Sequence, residues 1–286
     1  MFHLHRIYAK FTPDKVSLLK SFNIDVNEGF TSFDIYDNNS EYKKITALIE
    51  NEKDFSNRVV GVNFTKQEYD EAEKYMLRSG FILKEDKTSL DTRIREELYG
   101  GICKNCMLPS SIVQVKPAVF KKEYTLRAKE FCFTTNSHWP LLFTTKDKYE
   151  KYFSKWFEFR EVLIDKNRQV SSNLIQLDIP IASSKLIFGN SSFGLTFDVN
   201  NGTGKSGAFQ PCNICGKIKH TNQVIDFFPD FERDFNFNII YTKEWFGIRH
   251  HIVISKEFAR HLVELEMIKW DSYALIPVKK FQSYIK

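Results

Sequence analysis

The sequence lacks both the long hydrophobic run of a membrane protein and the leader of a secreted one. No stretch of the chain approaches the roughly eighteen uninterrupted apolar residues that a spanning helix needs. Residues 2–6 are not followed by the apolar core of a secretory signal. We therefore expect a cytoplasmic protein with no membrane partner.

The chain also lacks a strong excess of either charge. Its 41 Lys and Arg residues exceed its 36 Asp and Glu residues only slightly, which gives a net charge of +5 and a pI near 8.7. A dedicated nucleic-acid domain usually has a pI above about 9 and clusters its basic residues. Here the basic residues alternate with acidic ones, as on a solvated surface. The 27 Phe and 12 Tyr residues argue against an intrinsically disordered chain.

Internal repeats and low-complexity segments are absent, so the order of elements must be inferred from periodicity. Residues 1–92 alternate between strand-like and helix-like patterns, with strands predicted at residues 2–9, 30–36 and 58–64. Pro13 marks the start of the first helix. This alternation predicts a small α/β domain, whose boundary we place between residues 85 and 101.

The clearest helix start in this domain is a capping box formed by Thr65 and Glu68. The helix predicted from it continues to residue 79, where Gly80 would end it. Its apolar positions, at helical spacing, are Tyr69, Ala72, Tyr75 and Met76.

Residues 93–286 show mostly short β-type runs, with one predicted helix at residues 146–157. Near the end, a strand at residues 252–254, a helix capped by Ser255 and a strand at residues 273–278 form a strand–helix–strand unit. The fold class predicted for the whole chain is therefore α+β: a small α/β domain, then a larger, mostly β domain.

Four of the five cysteines occur as two CxxC pairs, Cys103 with Cys106 and Cys212 with Cys215. Two intervening residues let the backbone turn so that both sulfurs face one ion, and Gly216 permits the tight turn of a zinc knuckle. Two such pairs complete a tetrahedral site of four thiolates. We predict one structural zinc ion per chain, bound as in a split zinc ribbon.

The spacing between the pairs is unusual for a ribbon. Roughly 105 residues separate Cys106 from Cys212, whereas a compact ribbon has about fifteen to twenty. The metal would therefore hold two distant segments together. An iron–sulfur cluster and a redox-active pair remain alternatives at this point. Cys132, flanked by two phenylalanines, is predicted to be a core residue.

Four other patterns give weaker evidence of a functional site. Residues 201–207 resemble a phosphate-binding loop, but Val199 stands where the motif needs glycine, so a hairpin tip is predicted. His250 and His251 are adjacent and would point to opposite faces of a strand, so we expect a surface strand end. His220 is not needed as a ligand beside four thiolates. The acidic and aromatic run at residues 226–234 suggests a recognition loop for a basic partner or rings packed on the zinc module.

The C-terminal part resembles a known group. The segment Pro-Cys-Asn-Ile-Cys-Gly-Lys at residues 211–217 is followed by Phe-Phe-Pro at 227–229, Ile-Val-Ile-Ser-Lys-Glu-Phe at 252–258 and Ala-Leu-Ile-Pro-Val at 274–278. This order resembles the bacterial double-CxxCG proteins, which include predicted immunity proteins of toxin systems. Met107 departs from the pattern, since glycine would stand there. The resemblance implies metal binding at the four cysteines and a role in binding a toxin.

No Ser/His/Asp set, carboxylate pair or open metal site emerges from the spacing of the polar residues. We therefore expect a non-enzymatic, zinc-stabilised binding protein whose partner is a cognate bacterial toxin. One alternative is a zinc-ribbon protein that binds nucleic acid. Another is an enzyme whose active site in the α/β domain leaves no recognisable pattern.

Overall fold

The structure is a computed structural model that describes residues 1–78, 84–86, 97–123, 125–127, 130–135, 141–164, 168–188, 211–220, 227–233, 235–246, 250–270 and 274–278. The chain forms two compact units. The first comprises Met1–Glu71 and a short segment that ends at Phe227. The rest of the described chain belongs to the second. Among the described residues, no helix has the length and apolar character to cross a membrane.

The first unit is a three-stranded sheet with helices between its strands. The strands are β1 (Phe2–Phe11), β2 (Gly29–Tyr36) and β3 (Ser56–Asn63), in the order β2-β1-β3, and both pairings are antiparallel. Helices α1 (Pro13–Ser21) and α2 (Tyr42–Ile49) connect them. The predicted alternation of strands and helices is thus present, on an antiparallel sheet.

One side of this sheet carries the core of the unit. Alternate residues in the second half of β1, from Ile7 to Phe11, are buried, as a strand with one covered face requires. The helices add apolar side chains to the same cluster, which includes Ile7, Ala9, Phe11, Leu19, Phe33, Ile35, Ile45 and Ile49.

The capping box at the start of α3 (Lys66–Glu71) is confirmed. The Thr65 backbone N–H donates to Glu68 Oε2 at 2.8 Å, and the Glu68 N–H donates to Thr65 Oγ1 at 3.2 Å. The predicted length of this helix is wrong, because it ends at Glu71. Residues farther along form β4 (Lys74–Leu77), in which Tyr75 and Met76 are fully buried.

The second unit contains a six-stranded sheet in the order β5-β7-β8-β10-β9-β6. Its strands are β5 (Lys84–Asp86), β6 (Ala118–Phe120), β7 (Phe133–Thr135), β8 (Leu142–Thr145), β9 (Glu158–Ile164) and β10 (Gln169–Asp178). Between β8 and β9, the predicted helix is a short α4 (Lys146–Lys148) that continues as a π-helix over Tyr149–Phe153.

The remaining strands of the second unit form two smaller sheets. β11 (Lys219–His220) pairs in parallel with β13 (Trp245–Phe246). The other sheet has the order β12-β14-β4-β15, with β12 at Ile239–Tyr241, β14 at Ile252–Ser255 and β15 at Leu275–Pro277. Because β4 lies between β14 and β15, it is a central strand.

The predicted strand–helix–strand unit at the C-terminal end is confirmed as β14, α5 (Lys256–Glu264) and β15. Ser255 caps α5, since its Oγ accepts a hydrogen bond from the Phe258 N–H at 3.1 Å. Phe258 and Leu262 are buried. Together the two units give the α+β fold predicted from the sequence.

Candidate metal centre

The first CxxC pair forms a tight backbone turn between Gly101 and Pro109. The Met107 N–H donates to the Cys103 carbonyl at 2.8 Å, and the Cys103 N–H donates to the Leu108 carbonyl at 2.9 Å. Met107 has a φ of 59°, in the left-handed region. These two backbone hydrogen bonds hold the turn without any bound ligand.

The second pair repeats this turn. The Gly216 N–H donates to the Cys212 carbonyl at 2.8 Å, and the Cys212 N–H donates to the Lys217 carbonyl at 2.9 Å. Gly216 has a φ of 70°, which glycine adopts without steric cost. The two CxxC segments are therefore two copies of one knuckle.

The structure brings the four predicted cysteines together. Their sulfur atoms all lie within 4.8 Å of one another. Cys103 Sγ lies 3.8 Å from Cys212 Sγ, and Cys106 Sγ lies 3.4 Å from Cys215 Sγ. Tetrahedral bonds of about 2.3 Å to one ion place neighbouring sulfurs about 3.8 Å apart. The four thiols are free, and a group at this spacing could hold a single metal ion.

Hydrogen bonds also join the two knuckles directly. Asn105, inside the first CxxC, donates from Nδ2 to Cys212 Sγ at 3.4 Å and to Asn213 Oδ1 at 2.9 Å. Lys217 reaches back from the second knuckle and donates from Nζ to the carbonyls of Pro109 and of Ser110, the latter at 2.8 Å. These contacts hold the knuckles face to face.

Asn105 and Lys217 also belong to this centre, and neither was predicted from the sequence. The contact of Asn105 could have been predicted, because an amide side chain between two cysteines can donate to a thiolate of the other knuckle. The role of Lys217 has no comparable signal, since it depends on where the first knuckle lies.

The surroundings lower the pKa of two of the four thiols and raise the pKa of the other two. The Asn105 amide and the backbone N–H groups of Cys215 and Ile214 lower the pKa of Cys212 to about 6. The backbone N–H of Cys106 is the main cause of a lowered pKa at Cys103. Burial has the opposite effect on Cys106, whose pKa it raises to about 12.

Burial likewise raises the pKa of Cys215. Four thiolates at this spacing would repel one another strongly, so the cluster can be fully deprotonated only around a cation. The donor set thus fits a soft divalent metal ion that four sulfurs enclose.

The centre is continuous with the core of the six-stranded sheet. Cys106 and Cys212 are 1% and 2% exposed and belong to a buried cluster with Phe120, Phe143 and Trp245. Cys103 and Cys215 pack against the same cluster. The knuckles therefore join two distant chain segments to one hydrophobic core.

No other group of three or more His, Cys, Asp and Glu side chains in the described part of the chain is arranged to hold a metal ion. Cys132 is 5% exposed and lies outside the cluster, as predicted for a core residue. His220 is buried in β11, where its ring stacks on Phe188 with the centroids 4.3 Å apart. It is not among the clustered ligands.

The prediction that the two adjacent histidines mark a surface strand end is wrong. His250 is 2% exposed, and the centroid of its ring lies 3.9 Å from the centroid of the Trp245 ring. His251 instead packs on Phe246, at 4.4 Å. Both imidazoles therefore pack on aromatic side chains that precede β14. The loop at residues 201–207 lies outside the described residues.

The acidic and aromatic run at residues 226–234 is only partly described, and two of its rings are core residues. Phe228 and Phe231 are 0% and 4% exposed. Phe231 packs on Phe235 and Phe237, with centroids 5.1 and 5.9 Å away. The run therefore supplies buried rings to the second unit.

Comparisons with known proteins name neither a family nor a function for this arrangement. No protein-family model, curated protein or solved structure matches the chain.

Proposed function

We propose that the chain is a non-enzymatic binding protein, braced by one structural zinc ion, whose partner is a cognate bacterial toxin. The observation that carries the metal assignment is the enclosure of one point by four cysteine sulfurs within 4.8 Å of one another. Four thiolates form a closed tetrahedral shell with no position for water or substrate, which is typical of structural zinc.

The geometry favours one ion over an iron–sulfur cluster. In a four-iron cluster each thiolate binds a different iron atom, so its sulfurs must stand farther apart than those around one ion. The 3.4 and 3.8 Å separations suit the single ion. Elemental analysis of protein purified without added metal or a histidine tag should give one zinc per chain. Iron as the only metal, or no metal, would contradict the assignment.

The knuckles also offer a surface for a protein partner. Met107 and Ile214 each neighbour a ligand, Cys106 and Cys215, whose sulfurs are 3.4 Å apart, and they are 54% and 67% exposed. Exposed apolar side chains on a rigid support are common at protein interfaces. This surface, together with the resemblance to double-CxxCG proteins, supports a role as an immunity protein that covers a toxin.

Co-expression with a toxin encoded beside this chain tests the role. The wild-type chain should protect cells and co-purify with the toxin in stoichiometric amount. Ile214→Asp should keep the metal and the thermal stability but lose protection, because it places a charge in the interface. Val170→Asp is the matched control, since Val170 is also exposed, at 52%, and lies on β10. Equal toxicity with and without the wild-type chain would contradict the role for that pair.

A further inference from the structure

A cavity of about 490 Å³ lies beside the carboxyl end of β10, within the second unit. This volume falls in the range of pockets that hold small molecules or single side chains of a partner. Its lining joins aromatic rings to acidic and amide side chains. The main groups are Trp156, Phe235, Phe237, Glu158, Asp178, Asn236 and Asn238.

The charge of the lining is of one sign. Among the described residues that line the cavity, two are acidic, Glu158 and Asp178, and none is Lys, Arg or His, although the chain as a whole carries a charge of +5. Arg160 Nε lies 2.7 Å from Asp178 Oδ1, so this carboxylate is already balanced. The Glu158 carboxylate makes no ion pair and no hydrogen bond with any residue that the structure describes. Glu158 is exposed, so its charge is solvated and can pair with a ligand that enters the cavity.

The rings of this region already hold a cation of the protein itself. Lys74 Nζ lies 6.0 Å from the centroid of Phe237 and 5.9 Å from that of Phe231, and it forms an ion pair with Asp230 at 3.2 Å. A ring face and a carboxylate thus bind one ammonium group together. The cavity offers the same two kinds of group, because Glu158, Phe235 and Phe237 are all among its lining residues.

Two amides complete the polar part of the wall. The side chains of Asn236 and Asn238 form no hydrogen bonds with the described residues, so their carbonyl oxygens can accept from a ligand. An acceptor set of one carboxylate and two amides fits a group with several N–H donors. The adjacent rings fit the apolar stem that carries it.

We propose that this cavity binds an organic cation, a guanidinium or ammonium group on an apolar stem. Arg or Lys side chains of a protein partner and free amines share this chemistry. The site does not depend on the metal or on the toxin, so it can be tested on the purified chain alone.

Calorimetric titration with three probes tests the site. The probes are acetyl-phenylalanyl-arginine amide, the same peptide with citrulline in place of arginine, and agmatine. The arginine peptide should bind at least about tenfold more tightly than its neutral citrulline counterpart, because a charged hydrogen bond is lost. Agmatine binding as tightly as the peptide identifies a free amine as sufficient, whereas peptide binding alone identifies a peptide side chain. Binding of neither cation, or equal binding of the citrulline peptide, would overturn the proposal.

Substitution of the carboxylate gives a second readout. Glu158→Gln should weaken the binding of the arginine peptide or agmatine by about tenfold at an unchanged melting temperature. Glu161→Gln is the matched control, because Glu161 is exposed on the same strand, β9, and does not line the cavity. Equal affinity of the Glu158 variant and the control would refute the site. Zinc content should stay at the wild-type value in both variants, which separates this result from the proposed metal site.

Discussion

Met107 and Gly216 occupy equivalent positions in the two knuckles. Each follows the second cysteine of its pair, each donates its N–H to the carbonyl of the first cysteine at 2.8 Å, and their φ angles are 59° and 70°. A left-handed conformation costs a non-glycine residue about 1–2 kcal/mol. The first knuckle therefore holds a strained methionine where the second has an unstrained glycine.

Exchange at these two positions should have opposite effects. Gly216→Ala should lower the free energy of unfolding by about 1 kcal/mol, and the cause is the backbone alone, since a Cβ there would meet no atom within 4 Å. Met107→Gly should raise that free energy by up to about 1 kcal/mol, because relief of strain exceeds the added entropy of the unfolded chain. Urea unfolding in the presence of zinc measures both. A destabilised Met107→Gly beside a neutral Gly216→Ala would contradict the equivalence of the knuckles.

The hydrogen bond from Asn105 to Cys212 should raise metal affinity. Asn105→Ala removes the donor 3.4 Å from Cys212 Sγ and the link to Asn213, and outer-shell substitutions of this kind weaken metal binding by about 10–100-fold. Competition with a chromophoric chelator measures the affinity. Lys104→Ala is the control, because Lys104 is exposed in the same turn. An equal affinity in both variants would show that the amide does not act on the metal.

Loss of a single ligand should release the metal and weaken the fold together. Cys212→Ser should lower the metal content well below one per chain and lower the melting temperature, because the binding energy of a structural metal contributes to folding. Cys132→Ala is the matched control, since Cys132 is a buried cysteine outside the cluster. It should keep a full complement of metal. A Cys212→Ser protein with wild-type metal content and stability would rule out the site.

The cluster of four cysteines could be predicted because the sequence signal for each half is local. A CxxC pair fixes the geometry of its own turn, and two pairs supply four donors wherever the rest of the chain brings them together. The same holds for the capping box at Thr65 and for the cap at Ser255, which depend on side chains three residues apart.

That residues 74–77 form strand β4 and not part of a helix could not be predicted in this way. Ala72, Tyr75 and Met76 recur at helical spacing, yet a buried strand of four residues places no constraint on which of its positions are apolar. β4 pairs with β14 on one side and β15 on the other, both nearly two hundred residues away. Burial between these strands outweighs the local helical pattern, and nothing in the neighbouring sequence reveals it.

Acid should destabilise the fold through His220. Burial lowers the pKa of this histidine to about 4 in the folded chain, against 6.5 for an unperturbed imidazole. Between these pH values the unfolded chain takes up a proton that the folded chain does not. The stability present above about pH 6.5 is therefore lost as the pH falls toward 4, at about 1.4 kcal/mol per pH unit.

His220→Phe isolates this contribution. Phenylalanine can keep the packing on Phe188 and Phe246 but cannot take up the proton. Urea titrations between pH 4 and 8 should show a shallower acid decline in the variant, by about one proton per molecule. Protonation of the cysteine ligands lowers the stability of both proteins alike, so it cancels in the difference. Above pH 7 the two curves should run parallel, and equal slopes below pH 6 would show that His220 is protonated in the folded chain as well.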